Sequence, residues 1–329
     1  MKILLIQTAF IGDVILATAL LEELATYRRG DEVDMLVRKG NESLLTGHPY
    51  VNRVLVWDKK GGKYRNLIAL FKEIQLRNYD AIINLQRFGA TGILTAFTGA
   101  KQRIGFAKNP FSFAYTRKLP HVIEPDGPFV HEIDRNRQLI AHWLPADAER
   151  LLPALYPSVQ DRQRVQTSGP YICIAPTSVW HTKQWPPDRW IALIDLLPTD
   201  HVIYLLGAPA DHVACQAIID GSARPDAHNR AGELSFLESA ALMQHARMNY
   251  ANDSAPLHLA TAVNAPITAV FCSTVPGFGF TPLSDQSRVV ETALPLPCRP
   301  CGLHGKRACP EGHFRCTEID PARVMGELH

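Results

Sequence analysis

The chain has 329 residues, of which 46% are apolar and 20% charged, and a formal net charge of +2. That length exceeds one ordinary core and suits two domains of roughly 150 residues each. No apolar run reaches the roughly 18 residues needed to cross a bilayer, and the near-neutral balance excludes a general nucleic-acid binder. Residues 1–160 hold 21 Lys and Arg against 16 Asp and Glu, and the remainder 13 against 16. The mildly basic first half is either ordinary surface variation or suited to an anionic partner.

Lys2–Gln7 is short and almost wholly apolar, as expected of a parallel strand covered on both faces. Gln7 and Asp13 interrupt the apolar stretch and no small-residue cleavage site follows, so a strand is expected here rather than a secretion signal, and a cytoplasmic location with it. Thr8–Asp13 is read as a turn, and Val14–Tyr27 as a helix with Ile15, Leu16, Ala19, Leu20 and Leu24 on one side. Strands are expected at Glu32–Val37, Val51–Trp57 and Asp80–Leu85, and a helix at Leu67–Gln75. This alternation predicts a parallel, doubly wound α/β domain. Pro153–Pro170 lacks a clear period and marks the boundary, giving domains 1–160 and 161–329.

A second series follows. Strands are expected at Tyr171–Ala175, His201–Leu206, Asn249–Asn252 and Ile267–Phe271. Helices are expected at Pro187–Leu197, Leu234–Ala246 and from about Ser254 to Val263. The predicted architecture is two Rossmann-like domains facing a cleft, with ligands at the carboxyl ends of the strands.

Three segments at such ends carry candidate chemistry. After the first strand, Thr8 and Gly12 are candidates to face substrate, with the glycine allowing close backbone approach. Asp13 serves either as a helix-start carboxylate or as a general base toward an acceptor hydroxyl. After Ala175, Thr177 and Ser178 offer hydroxyls to a phosphate. Lys183 is either a solvated loop residue or a point charge on a diphosphate. At Asn252-Asp253-Ser254, the amides of Ser254 and Ala255 would meet a phosphate at a helix start. Asp253 is assigned to capping or to fixing the turn, and His258 shares that helix face. Cys298, Cys301, Cys309 and Cys316 crowd the loop 298–316. Their spacing is compatible with a structural zinc or iron, with free thiols, or with disulfides.

Together these segments resemble glycosyltransferase family 9, the heptosyltransferases. The resemblance rests on Gly12-Asp13-Val14-Ile15, Arg103-Ile104-Gly105-Phe106, Lys183-Gln184-Trp185-Pro186, Asn252 through His258, and the cysteine-rich ending. It runs nearly the full length, and departs from the family's pattern at Ala255, where a glycine is usual. It implies a GT-B fold, with an acceptor on the first domain and ADP-heptose or another nucleotide sugar on the second. It also implies Asp13 as catalytic base, Lys183 on the diphosphate, and Ser254, His258 and, more loosely, Glu233 lining the donor pocket. Inverting transfer without a cofactor is implied. The implied acceptor is an anionic saccharide or lipid-linked molecule, with the lipopolysaccharide inner core foremost and peripheral contact at the cytoplasmic face of the inner membrane. Some relatives carry a four-cysteine metal site. The competing readings are a non-catalytic sugar-nucleotide-binding protein on the same fold and a transferase for another sugar nucleotide.

Overall fold

A computed structural model describes residues 1–125 and 127–326; Asp126 and positions 327–329, counted within the two expected domains, lie outside the described residues. The described chain forms two units: Met1–Ile123 with Val130–Tyr156, and Glu124–Phe129 with the chain from Pro157 onward.

The first unit runs β1 (Lys2–Ile6), α1 (Ile11–Tyr27), β2 (Glu32–Arg38), β3 (Arg53–Trp57), α2 (Lys63–Arg77), β4 (Ala81–Asn84), α3 (Gly89–Phe97), β5 (Gln102–Phe106), β6 (Arg117–Leu119) and α4 (Glu132–Arg137). Its six strands lie in the order β3-β2-β1-β4-β5-β6, all parallel. Ile3, Leu4, Leu5 and Ile6 are wholly buried, which explains why the first strand reads as a continuous apolar run. Every residue of α1 from Val14 to Leu21 is buried as well, so this helix is apolar almost all round instead of striped.

The second unit runs α5 (Val159–Arg164), β7 (Tyr171–Ala175), α6 (Pro187–Leu196), β8 (Val202–Leu205), α7 (His212–Gly221), β9 (Ala227–Asn229), α8 (Phe236–Gln244), β10 (Met248–Asn252), α9 (Ala255–Ala262), β11 (Ile267–Phe271), β12 (Ser287–Glu291) and α10 (Pro321–Met325). The sheet order is β12-β11-β10-β7-β8-β9, again all parallel. Both sheets therefore follow the doubly wound order. The chain starts mid-sheet, steps outward on one side, then crosses to the other. Each has one switch point, between β1 and β4 in the first unit and between β7 and β10 in the second. There, helices leave in opposite directions and a crevice opens at the carboxyl ends.

Three local expectations are corrected. The turn after β1 is shorter than Thr8–Asp13: α1 begins at Ile11, so Gly12 and Asp13 are helical. Helix α2 extends to Lys63 and Arg77, beyond the expected Leu67–Gln75. The aperiodic linker holds the short helix α5, started by a reciprocal cap in which Ser158 and Asp161 bond each other's amides.

Candidate active site

The first switch point carries Asp13 in the opening turn of α1. The N-cap, Phe10, has no side-chain bond to offer, so the first-turn amides are left to other acceptors. The amides of Phe10 and Asp13 bond the Asp13 carboxylate, and Arg38 attracts it. Burial and then the charge of Glu132 oppose these and win, lifting its pKa from 3.8 to about 6. Glu132 is itself held by His121 Nε2 at 3.0 Å and Arg135 Nη1 at 3.1 Å. Thr8 is buried and occupied: Lys59 Nζ donates to its carbonyl at 2.7 Å and lies 3.2 Å from its Oγ1. The Lys59 ammonium lies over the Trp57 ring, 4.7 Å from its centre. Burial, then Arg38 and Lys63, lower its pKa to about 8. Arg38 ends β2 and Lys59 follows β3 by two residues, so both cations stand on the same carboxyl edge as Asp13.

The second switch point gathers three of the sequence segments. Asn252, at the end of β10, donates to the Pro176 carbonyl at 2.6 Å and accepts from the Trp185 amide at 2.9 Å. One buried amide side chain thus ties the Thr177–Ser178 turn to the Lys183 turn. The carbonyl of Ser178 accepts Gln184 Nε2 at 2.6 Å, and that of Thr177 accepts a long contact from Ser254 Oγ at 3.4 Å. Trp185 is a packing residue, edge-on to Trp190 at 5.0 Å.

Lys183 is no solvated loop lysine. Its Nζ sits 2.7 Å from Asp253 Oδ2, with both side chains largely buried. The same oxygen accepts Thr274 Oγ1 at 2.6 Å. Capping is therefore not the work of Asp253: Ser254 is the N-cap of α9, and it makes no side-chain cap bond. Pro256 in the first turn lacks an N–H, so the donors at this helix start are the amides of Ser254 and Ala255. His258 is buried one turn further along. Glu233 stands apart and is exposed. It pairs with Arg230 Nε at 2.7 Å beside a shallow groove lined by Tyr204, His212, His228 and Arg230.

The four cysteines are not brought together as a ligand set. All are free thiols, and among the described residues no group of three or more His, Cys, Asp or Glu side chains is placed to hold a metal ion. Cys316 is drawn into the hydrophobic core with Trp185 and Ile319, while Cys298 faces His313 Nε2 at 3.7 Å. Burial, then Cys301 and Cys309, push the Cys316 thiol up to about 11. The loop has a different use. It lies against the Lys183 turn, with the Thr182 amide bonding the Lys306 carbonyl at 3.1 Å and the Lys306 amide bonding Thr182 Oγ1 at 2.8 Å. Ser273 Oγ reaches Thr182 Oγ1 at 3.0 Å, and the Cys301 amide bonds the Ser273 carbonyl at 2.9 Å.

Gly305 closes this contact with a φ of +77°, and a Cβ there would lie 3.1 Å from Lys183 Cγ and Thr182 Oγ1. Gly305→Ala is expected to cost about 1–3 kcal/mol from the left-handed backbone alone. A melt of the purified variant would show a midpoint lower by several degrees, at roughly 2–4 °C per kcal/mol. An unchanged midpoint would mean that the loop does not press on the turn.

A family model described as glycosyltransferase family 9 (heptosyltransferase) matches residues 67–310. The chain belongs to this family. It is 28% identical over 284 residues to lipopolysaccharide heptosyltransferase 3 of Escherichia coli, covering 80% of this chain and 82% of that one. To lipopolysaccharide heptosyltransferase 1 of Pseudomonas aeruginosa it is 26% identical, covering 92% and 86%. Its fold is that of the E. coli ADP-heptose lps heptosyltransferase II structure, with a TM-score of 0.80 at 21% identity over 99% of this chain and 96% of that one. The two doubly wound units are thus those of a GT-B glycosyltransferase.

Within this family 9 glycosyltransferase, Arg103-Ile104-Gly105-Phe106 is a packing motif. Arg103 clamps the carbonyls of Ala114 and Ala100 at 2.8 and 2.7 Å. A Cβ at Gly105 would meet the Tyr115 ring at 2.7 Å and the Asn84 carbonyl at 2.9 Å. Sequence reasoning missed Arg38 and Lys59, although the expected ends of their strands would have put both on the Asp13 edge. It also missed Thr274, which lies three residues past β11 and carries no motif of its own.

Proposed function

We propose that this chain transfers a heptose from ADP-heptose to a saccharide acceptor of the lipopolysaccharide inner core, with inversion at the anomeric carbon. The observation that carries the reading is the Lys183–Asp253–Thr274 set at the second switch point, beside the start of α9, whose N-cap Ser254 makes no side-chain cap bond. An ammonium has three N–H donors. Asp253 holds one in place, and the others remain for a diphosphate. The names of the relatives supply the sugar and the pathway.

In the proposed step, Asp13 takes the proton of the acceptor hydroxyl as that oxygen bonds the anomeric carbon. The bond from that carbon to the ADP oxygen breaks, and ADP leaves with the electron pair. Lys183 and the amides of Ser254 and Ala255 meet the charge growing on the diphosphate. One base and no covalent nucleophile give inversion. Arg38 and Lys59 suit an anionic acceptor, and Thr8 fixes Lys59. Thr177 and Ser178 border the diphosphate, His258 lines the donor pocket, and Glu233 with its groove is the nucleoside end. The chain works at the cytoplasmic side of the inner membrane; among the described residues no helix is long and apolar enough to cross it.

A thermal-shift panel of ADP-heptose, ADP-glucose, GDP-mannose and UDP-glucose tests the donor. ADP-heptose is expected to raise the melting midpoint, by about 2.7 kcal/mol of stabilisation at 100 times its Kd. A larger response to another nucleotide sugar would reassign the donor. ADP-heptose binding without transfer to core saccharide would make this a binding protein instead.

A further inference from the structure

The turn that leaves β11 is gripped by one short segment of the cysteine loop. Arg299 Nε donates to the Cys272 carbonyl at 2.7 Å, and its Nη2 reaches the carbonyls of Phe271 and Thr274 at 3.2 and 2.6 Å. The carbonyl between them, that of Ser273, takes the Cys301 amide at 2.9 Å. Four successive carbonyls, 271 to 274, are thus held by two residues. Glu291, the last residue of β12, accepts from the same Nη2 at 2.6 Å, and the Arg299 side chain is largely buried. Its Nε and Nη2 are spent on protein oxygens and its charge is met by Glu291. That suits it to bracing the turn rather than to gripping a phosphate.

Both hydroxyls of that turn lead to Lys183. Ser273 Oγ donates to Thr182 Oγ1 at 3.0 Å, one position before the lysine. Thr274 Oγ1 donates to Asp253 Oδ2 at 2.6 Å, and that oxygen holds Lys183 Nζ at 2.7 Å. Ser273 and Thr274 are buried, and the Asp253 amide is tied to the Val270 carbonyl at 3.1 Å. A lysine carries a point charge on a flexible four-carbon stem. Where its ammonium rests is therefore set by its partner, and here the partner rests on the turn. The planar fork of an arginine can span three carbonyls and a carboxylate, which one ammonium cannot do.

We propose that Arg299 is a positioning residue for the donor diphosphate: by bracing turn 271–274 it sets where Asp253 holds the Lys183 ammonium. The bracing stands on these contacts; that it serves a diphosphate rests on the transferase reading.

Binding of ADP and of adenosine to the full chain separates this role from general support of the fold. Wild type is expected to prefer ADP by roughly tenfold or more, since only ADP brings phosphates to Lys183. Arg299→Lys is expected to lose roughly fivefold of the ADP affinity, part of that contact, and to hold adenosine within about twofold. In transfer assays its donor KM should rise while its acceptor KM stays near wild type. Thr274→Val should show the same selective loss, and Thr274→Ser should restore ADP. The two losses act on one ammonium, so Arg299→Lys with Thr274→Val should lose no more than Arg299→Lys alone. If Arg299→Lys does not melt cooperatively, Glu291→Gln takes its place. That variant leaves the backbone contacts and is expected to lose about two- to threefold of the ADP affinity. A wild-type preference for ADP in the variant used, or an equal loss of ADP and adenosine, makes Arg299 a staple of the fold and overturns the proposal. Additive losses in the double variant overturn it too. Wild-type protein that binds ADP no better than adenosine instead brings down the donor reading, and the role at the diphosphate with it.

Discussion

Asp13→Asn is expected to lower turnover by about 100-fold or more, the usual contribution of a positioned general base, while leaving donor binding and the fold intact. The carboxyl stands in the first turn of α1 with a pKa lifted to about 6 by burial and by Glu132. A base is useful only when ionised, so the sign follows directly. At pH 7 about 90% of the groups are ready, and below about pH 6 the rate should fall close to tenfold per unit. The asparagine variant should lose that acid limb along with its rate. Glu132→Gln should move the limb downward, because one source of the upward shift is gone. For stability the sign is opposite to that of a salt-bridged aspartate. A carboxyl whose folded pKa exceeds its unfolded value disfavours the fold once ionised, so the asparagine variant should melt no lower at neutral pH. Wild-type turnover in Asp13→Asn, or an acid limb that survives it, would take Asp13 out of the reaction.

Lys183→Ala is expected to weaken donor binding and slow transfer together. A charge-assisted contact contributes about 1.5–3 kcal/mol, or roughly 10- to 150-fold. The substitution also strands a buried carboxylate, because Asp253 is left with Thr274 as its partner. The melting midpoint should therefore drop as well. Asp253→Asn separates the two effects. It keeps the ammonium but frees it from its anchor, so donor affinity should fall less than in the alanine variant. The acceptor constant should stay near wild type in both variants. If Lys183→Ala uses the donor with an unchanged constant and rate, the diphosphate is held by other groups.

Much of the fold could be read from periodicity because the central strands are buried on both faces. Tyr171–Ala175 and Ile267–Phe271 were expected at their observed bounds, and each is wholly buried in the structure. Of the four edge strands, β3 was expected within Val51–Trp57, but the other three gave no such signal. The sequences of Arg117–Leu119, Ala227–Asn229 and Ser287–Glu291 are short or polar, since one side of each meets solvent rather than another strand. For the site, strand ends were legible and pairings were not. Lys183 and Asp253 lie 70 positions apart, and only the parallel pairing of β7 and β10 at mid-sheet makes them neighbours. The cysteine spacing left a metal, free thiols and disulfides open; the structure has free thiols, with no metal-ligand group among the described residues.

The lean of loop 298–316 on the Lys183 turn has a reciprocal side. Thr182, Ser273 and Lys306 form a short relay of hydrogen bonds from the turn to the amide of Cys301. Whatever free energy a bound nucleotide sugar spends in stiffening that turn is shared with the loop. Linkage makes the exchange symmetrical. In the proposed complex, if opening of the loop weakens the donor by a given factor, the donor shifts the opening equilibrium toward the closed loop by the same factor. Where alkylation of Cys301 needs the loop open and opening is fast, its rate falls with that equilibrium and reports the proposed donor occupancy at Lys183.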